Sequence, residues 1–272
     1  MRMIDRNNAA CLRSAIASDP HTYAEEAGRT VIVSGGATGI GKAAAEAFAR
    51  NGDRVLILGR RPDALEKTAR ELNELAGSEL VTYASVDLSR PETIEALDGD
   101  GALPETVDVL VNNAGGSLRS VDTDLATLDA RWEANWRSNV MSAVLLTQLV
   151  RPRIRRPGGA IVNVSSLAAL LGSDAYGAAK AAMISWSHSM ARALGPEGIT
   201  VNAVLPGFVP GTEFFGDTLT PELHKAYTGL TMLGRAGQPS DVAGAILYLA
   251  SPAAAWVTGQ ILQVNGGTYL GR

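Results

Sequence analysis

Seven short runs of β-branched and aliphatic residues alternate along this chain with stretches of helical character, and this alternation limits the folds open to it. The runs are TVIVSGG, RVLILG, LVTYASVDL, VDVLVNNAGG, GAIVNVSS, ITVNAVLPG and QILQVNGG. Strands this apolar are buried on both faces, and helical segments between them serve as crossovers between parallel strands. The sequence therefore predicts an α/β fold with a doubly wound, parallel, seven-stranded sheet and helices on both faces.

The helical stretches between these runs are predicted at residues 39–51, 63–76, 125–155 with a break, 175–194 and 240–250. Residues 208–237 form the one long stretch without a strand signal, and we interpret them as a lid. No linker or internal repeat divides the chain, so we predict a single domain over residues 29–272. Residues 1–28 lack a clean period and are predicted to be an N-terminal extension, part helical, that is packed on the body or mobile.

Composition excludes several classes of protein. The chain has 272 residues, 46% of them hydrophobic, and a net charge of −4, which gives no field that would attract nucleic acid or an anionic membrane. Cys11 is the one cysteine, and the three histidines show no spacing typical of a metal site. No apolar stretch has the length of a signal peptide or of a membrane span. We expect a cytoplasmic protein with no metal, no nucleic-acid partner and no membrane partner.

The first candidate binding motif is a glycine-rich turn in VIVSGGATGIGKAAAEAFA, between the first strand and an alanine-rich helix. Gly35, Gly39 and Gly41 lie where a backbone turns tightly, approaches a ligand closely and lets a helix pack on a strand. The helix N-terminus offers N–H groups to a pyrophosphate. The alternative is a purely structural turn, since the spacing is not that of the commonest dinucleotide motif. Its position after a first strand favours nucleotide binding.

The second strand ends without the acidic residue that usually binds the adenosine ribose 2′-hydroxyl. Gly59 stands at that place, followed by Arg60 and Arg61. Arginine meets a phosphate through paired hydrogen bonds, so this pattern favours NADP(H), with NAD(H) as the weaker option. The alternative is that the two arginines only begin a solvated helix.

A tyrosine and a lysine stand four residues apart in AYGAAK. On a helix this spacing places Tyr176 and Lys180 on one face, where an ammonium can stabilise a phenolate. Taken alone, such a pair is more often a solvated surface pair, so it needs support from other motifs.

That support comes from the order of the motifs. The glycine turn, NNAGG at 112–116, Asn139, VSS at 164–166, YGAAK at 176–180 and LPG at 205–207 follow one another along the chain. Together they resemble the short-chain dehydrogenase/reductase family, in particular its single-domain members of the 3-oxoacyl-carrier-protein reductase type. The likeness runs from about residue 30 to 267 and implies a Rossmann fold.

The resemblance implies roles for four residues. Tyr176 would be the general acid/base, and Lys180 would tune it and bind the nicotinamide ribose. Ser166 would polarise the substrate carbonyl, although Ser165 beside it could face the cleft instead. Asn139 would hold a water of a proton relay, and its alternative role is to satisfy backbone groups inside a helix.

The same resemblance implies the cofactor contacts. They are Gly35, Thr38, Gly39, Ile40 and Gly41 around the pyrophosphate, Asp87 and Leu88 near the adenine, Asn113, Ala114 and Gly115 beside the ribose, and Val209 and Thr212 at the carboxamide. Two departures from the family pattern stand out. The interval from Ser166 to Tyr176 is about three residues shorter than usual, and Thr212 stands one place later.

Three features bear on substrate and assembly. Phe208, Phe214 and Phe215 fall in the predicted lid and favour an apolar, ring-bearing substrate, or they pack the lid onto the body. The run RPRIRRPGG could attract an acidic carrier protein, but a solvated helix end is the favoured interpretation. The C-terminal stretch from GRAGQPSD to QVNGG resembles the part of the family that packs subunits into a homotetramer.

These observations predict an oxidoreductase that transfers a hydride between NADPH and a ketone or secondary alcohol, with a small carbonyl compound as substrate. The alternative enzyme is an NAD-dependent dehydrogenase of a secondary alcohol such as a sugar, polyol or steroid. A nucleotide sensor or scaffold without turnover is disfavoured because Tyr176 and Lys180 are both present. A nucleotide-sugar epimerase is disfavoured by the chain length and by the lack of a separate C-terminal domain.

Overall fold

The computed structural model of the chain describes residues 28–118 and 123–271. One parallel sheet runs through this part of the chain. Its strands are β1 Thr30–Ser34, β2 Arg54–Gly59, β3 Val81–Ser85, β4 Val109–Asn112, β5 Ala160–Val164, β6 Thr200–Pro206 and β7 Ile261–Val264. They lie in the order β3-β2-β1-β4-β5-β6-β7, all pairs parallel, which confirms the predicted sheet. Except for Gly28, the predicted extension lies outside the described residues.

Helices connect the strands. They are α1 Gly39–Arg50, α2 Pro62–Ala76, α3 Pro91–Gly99, α4 Leu125–Trp136, α5 Ser142–Val150, α6 Ala168–Leu171, α7 Asp174–Leu194, α8 Pro221–Gly229 and α9 Pro239–Leu249. A π-helical turn, Arg137–Met141, joins α4 to α5, and a 3₁₀ turn, Arg151–Arg153, follows α5. The predicted helix over 125–155 is thus four consecutive segments, and the predicted break is this π turn.

Three helices were not predicted from the sequence: α3, α8 and the four-residue α6. In α3, which begins with Pro91, only Ile94 and Leu97 are buried, so its apolar stripe is short. In α8, inside the predicted lid, no residue is buried. A helix without a buried face carries no apolar periodicity, and the periodicity was the basis of the prediction.

The core has one layer on each face of the sheet. Side chains alternate along β1, so Val31 and Val33 join one layer and Ile32 joins the other. Helices α1, α2 and α9 cover the first layer, whereas α3, α5 and α7 cover the second. Both faces of every central strand are therefore buried, which explains why these strands read as unbroken apolar runs.

The strand order reverses direction between β1 and β4. Val33 of β1 pairs with Ile57 of β2 on one side and with Val111 of β4 on the other. The connections that leave these strands turn to opposite faces, which opens a crevice at the carboxyl ends. The glycine-rich turn follows β1 and the NNAGG stretch follows β4, so both candidate motifs meet at this crevice.

Candidate active site

A cleft of about 540 Å³ lies over the carboxyl ends of the central strands. It brings together most of the residues predicted to form the site. Those that line it are Gly35, Thr38, Gly39, Ile40, Arg60, Arg61, Asp87, Leu88, Asn113, Ala114, Gly115, Ser166, Tyr176, Lys180, Val209 and Thr212. Gly41 and Asn139 do not line it and lie behind its wall. Ser138 and Ser142 line it as well and had no signal in the sequence, and Gly116 of the NNAGG stretch lines it beside Gly115.

The glycine-rich turn is too tight for side chains. A Cβ on Gly41 would lie 2.1 Å from the carbonyl oxygen of Gly35, and Gly35 itself has a φ of 66°. Helix α1 starts at Gly39, and the side chain of its N-cap residue, Thr38, makes no capping hydrogen bond. No acidic residue stands in the first turn of α1. The helix end thus offers N–H groups and positive potential to an anion in the cleft.

The loop after β4 is held against this turn by a side-chain amide. Nδ2 of Asn113 donates to the carbonyl oxygens of Ser34, at 3.0 Å, and Gly35, at 3.2 Å. On the opposite wall, the Thr212 side chain would lie 3.1 Å from a Cβ at Gly39. The lack of a side chain at Gly39 therefore lets Thr212 approach the turn.

The far end of the cleft carries charged groups from β2 and β3. Burial acts to raise the pKa of Asp87, but hydrogen bonds from Ser89 and the positive charges of Arg60 and Arg90 outweigh it and lower that pKa. Arg60 is exposed, and no salt bridge within the described part of the chain joins it to an acidic side chain. Arg61 instead donates two hydrogen bonds to Glu213, at 3.1 and 2.8 Å.

Lys180 is buried beneath the cleft, with 4% of its surface exposed. Its Nζ donates to the carbonyl oxygen of Val164 at 3.0 Å and lies 5.8 Å from the centre of the Tyr176 ring. Burial lowers the pKa of Lys180 from its ordinary value of 10.5 to about 8. The helical spacing of the pair thus places an ammonium beside a phenol. The pKa of about 8 belongs to this Lys180 ammonium.

The two serines after β5 point to different places. Ser165 is buried, and its Oγ donates to the backbone oxygen of Lys180 at 2.7 Å. Both serines line the cleft, and the Oγ of Ser166 accepts a hydrogen bond from the N–H of Ala168 at 3.2 Å. The Ser166 hydroxyl therefore still has its hydrogen to donate. The shortened interval before Tyr176 forms α6 and does not remove Ser166 from the cleft.

Asn139 lies in the π-helical turn and is 1% exposed. Its Nδ2 donates to the backbone oxygens of Gly116, at 2.8 Å, and Asn135, at 2.9 Å, and its Oδ1 accepts from the N–H of Gly116 at 3.1 Å. A π turn inserted in a helix is frequent at functional sites. In this chain the π turn places the Asn139 amide against Gly116, in the loop after β4. The predicted contact of Asn139 with a relay water stays a prediction.

The lid aromatics form one connected cluster, in which the Phe215 ring lies 5.3 Å from Phe208 and 5.0 Å from Phe214. The Phe214 ring lies 5.1 Å from the Tyr176 ring, and both Phe214 and Phe215 line the cleft. Phe208 packs inside the lid against Tyr227, at 5.1 Å, and His224, at 5.3 Å. The aromatics thus pack on one another and, through Phe214, on Tyr176 of the body, and their contact with an apolar substrate stays a prediction.

The arginine run before β5 is matched by acidic side chains. Arg151 and Arg156 pair with Glu197, Arg153 pairs with Asp98, and Arg155 pairs with Asp108. These pairs reduce the local field that an acidic carrier would meet, and the Arg155 and Arg156 side chains remain exposed to solvent.

The described residues offer neither a metal site nor a membrane span. They contain no group of three or more His, Cys, Asp or Glu side chains that could hold a metal ion. None of the helices in the described ranges is both long and apolar enough to cross a membrane.

Comparison with known proteins identifies the family. A family model described as enoyl-(acyl carrier protein) reductase matches residues 35–269. The 3-oxoacyl-[acyl-carrier-protein] reductase FabG of Chlamydia trachomatis is 35% identical over 246 residues, which cover 88% of this chain and 96% of that protein. The chain belongs to the short-chain dehydrogenase/reductase family. The resemblance inferred from its motifs is confirmed.

Two solved structures show how closely this dehydrogenase/reductase follows the family fold. The Pseudomonas aeruginosa RhlG/NADP active-site complex has a TM-score of 0.81 and 30% identity, and the match covers 92% of this chain and 100% of that one. A 7 alpha-hydroxysteroid dehydrogenase complexed with NADH and 7-oxo glycochenodeoxycholic acid has a TM-score of 0.80 and 34% identity, with coverage of 89% and 94%. This chain is therefore an oxidoreductase of a family that binds NAD(P)(H), and these two neighbours carry different nucleotides.

Proposed function

We propose that this chain is an NADPH-dependent carbonyl reductase that converts a ketone to a secondary alcohol. One observation carries the proposal: Tyr176, Lys180 and Ser166 share a cleft with a glycine-rich turn that suits an anion. An acid, a cation and a hydroxyl donor are the groups that carbonyl reduction requires. Arg60 at the other end of the cleft supports NADPH as the nucleotide.

The residues of the cleft fit a dinucleotide. The turn after β1 and the start of α1 would hold the pyrophosphate, and Asp87 with Leu88 would lie near the adenine. Asn113, Ala114 and Gly115 would lie beside the nicotinamide ribose, and Val209 with Thr212 near the carboxamide. When bound, the reduced nicotinamide supplies the hydride that adds to the carbonyl carbon.

The protein supplies the proton and holds the carbonyl. The Ser166 hydroxyl donates to the carbonyl oxygen and stabilises the negative charge that develops there. The Tyr176 hydroxyl transfers its proton to that oxygen, which completes the alcohol and leaves a phenolate. The Lys180 ammonium stabilises this phenolate until solvent returns the proton. Asn139 acts as a positioning residue that fixes Gly116 beside them.

The substrate class follows from the lid. Phe214, whose ring lies beside Tyr176, and Phe215 line the cleft, and aromatic walls at the reacting end favour an apolar, ring-bearing ketone. The name of the hydroxysteroid dehydrogenase neighbour, whose complex contains a ring-bearing oxo compound, supports this class.

A second candidate is oxidation of a secondary alcohol such as a sugar, polyol or steroid with NAD. Two observations favour it. Glu213 pairs with Arg61, so this arginine is less able to hold a 2′-phosphate, a group that NAD lacks. A galactitol 2-dehydrogenase of Cereibacter sphaeroides is 34% identical over 250 residues.

We also propose a homotetramer in the cytoplasm. Large apolar side chains of the C-terminal region are exposed, including Trp256, which is fully exposed, and Leu270, which is 63% exposed. Exposed apolar groups of this kind are typical of subunit interfaces. Light scattering of the full chain would test the assembly, and a monomer would contradict it.

The test is a nucleotide oxidation screen at 340 nm with NADPH and NADH in parallel. The substrates are β-ketoacyl thioesters, aromatic ketones, quinones and cyclic ketones. We expect turnover with NADPH on ring-bearing ketones. The variant Tyr176→Phe should lose turnover and still bind nucleotide, whereas Tyr248→Phe, at an exposed position of α9, serves as the matched control.

Each alternative outcome has a meaning. Retained turnover in Tyr176→Phe would refute Tyr176 as the general acid. Turnover only in reverse, with NAD and an alcohol, would replace the carbonyl reductase by the second candidate.

A further inference from the structure

A lid carboxylate crosses the cleft and holds one of its two arginines. Glu213 accepts hydrogen bonds from both terminal nitrogens of Arg61, at 3.1 and 2.8 Å, although the two residues are 152 positions apart. Its Oε2 also lies 3.4 Å from the Oγ1 of Thr38, the N-cap of α1. Arg61, Thr38 and Glu213 all line the cleft. We call the contact of Glu213 with Arg61 and Thr38 the clasp.

The clasp occupies a site that also suits phosphate. A guanidinium offers a planar fork of N–H groups that binds a carboxylate or a phosphate through two hydrogen bonds. Glu213 takes this fork on Arg61, so a phosphate group that uses Arg61 must displace the carboxylate. Arg60, next to it, makes no such pair in the described part of the chain.

We propose that Glu213 is a specificity-determining residue that shifts the nucleotide preference of this chain away from NADP(H) and toward NAD(H). The inference rests on the proposed function, because it takes the cleft as the dinucleotide site. NADPH carries a 2′-phosphate, which the Glu213 carboxylate repels and with which it competes for Arg61. NADH carries a hydroxyl at the 2′ position, which can donate a hydrogen bond to the carboxylate. Arg60 favours NADPH and Glu213 opposes it, so the preference is the balance of the two.

The exposure of the clasp limits its strength. The side chains of Arg61 and Glu213 are 57% and 60% exposed. Ion pairs this exposed are weak and are screened by salt. The 2′-phosphate can therefore displace Glu213, and the carboxylate moderates binding of NADPH without preventing it. We expect removal of the carboxylate to tighten NADPH binding by about threefold to tenfold at low salt.

The experiment is a titration of the full-length protein with NADPH and NADH, followed by nucleotide fluorescence and without any substrate. The variants are Glu213→Gln, Arg61→Gln and the double variant. Glu222→Gln is the matched control, since Glu222 is an exposed lid carboxylate outside the cleft and its replacement changes the net charge equally. Each titration is run at low and at high salt.

Glu213→Gln should lower the Kd for NADPH by about threefold to tenfold and leave the Kd for NADH unchanged or higher. The gain should be smaller in the Arg61→Gln background, where no guanidinium is released, and smaller at high salt. The Glu222→Gln control should bind both nucleotides as the wild type does.

Two results would overturn the inference. If Glu213→Gln changes both Kd values by the same factor, Glu213 acts on lid position and not on nucleotide choice. If Glu213→Gln weakens NADPH binding, the carboxylate helps to bind NADPH. A wild-type protein that binds neither nucleotide would instead overturn the proposed function, and with it the basis of this inference.

Discussion

Replacement of Lys180 by methionine should stabilise the folded chain at neutral pH while it abolishes turnover. Lys180 is buried, and burial lowers its pKa from 10.5 to about 8. A difference of two to three pH units corresponds to about 3 kcal/mol of unfolding free energy, at about 1.4 kcal/mol per unit. Methionine has a similar length and no charge, so it removes this cost.

The cost depends on pH in a definite direction. Below about pH 8 both the folded and the unfolded chain hold the Lys180 proton, and the full cost is present. Between about 8 and 10.5 the unfolded chain binds more protons, so the stability of the wild type rises with pH. At pH 10 a cost of about 1 kcal/mol remains. The methionine variant lacks this titration.

The variant also loses one hydrogen bond. Without an ammonium at position 180, the buried carbonyl of Val164 loses the donor that lies 3.0 Å away, at a cost of about 1 kcal/mol. We therefore expect Lys180→Met to be more stable than the wild type by about 2 kcal/mol at pH 7 and about equally stable at pH 10.

Urea unfolding at pH 7, 8, 9 and 10 would measure this difference at one protein concentration and without nucleotide. Lys67→Met is the matched control, because the Lys67 side chain is 69% exposed and its loss should change stability little at any pH. The reasoning is refuted if the stability difference for Lys180→Met is the same at pH 7 and pH 10. It is equally refuted if the variant is the less stable protein at pH 7.

Two further predictions concern the walls of the cleft. Gly41→Ala places a Cβ 2.1 Å from the Gly35 carbonyl and should cost about 1–3 kcal/mol in urea unfolding and weaken nucleotide binding. Gly116→Ala, where a Cβ meets no atom within 4 Å, should keep wild-type stability, and an equal loss in both variants would contradict this account. Ser166→Ala should lower kcat about 100-fold with unchanged stability. Ser165→Ala should instead lose about 1 kcal/mol of stability with a smaller change in kcat. A larger kcat loss in Ser165→Ala than in Ser166→Ala would assign the carbonyl-donor role to Ser165.

Much of the fold could be predicted because its signals are local. The strands are apolar on both faces, so each gives an unbroken run in the sequence, and their number was correct. The start of α8 is also marked in the sequence, by Thr220 as N-cap and Pro221 in the first turn, but the helix has no buried face and so no apolar periodicity. Its capping residues are therefore the one local signal of this helix.

The site shows a similar division. Tyr176 and Lys180 could be placed side by side because four residues of one helix set their separation. The orientation of Ser165 and Ser166 could not be decided, because it depends on the backbone of Lys180, which accepts the bond from Ser165. The contact of Glu213 with Arg61 joins two loops 152 residues apart, and no local pattern reports such a contact.

The π-helical turn at Arg137–Met141 gives the site a requirement on chain length as well as on residue identity. A π turn holds one residue more than an α turn, so a deletion within it lets the segment close into a regular helix. Each residue of an α-helix advances by about 100°, and Asn139 would then rotate away from Gly116. Substitutions at the neighbouring positions change side chains but leave the direction of Asn139 about the helix axis unchanged. An insertion or deletion changes that direction. Gaps in this turn should therefore be rarer among active relatives than exchanges of its residues.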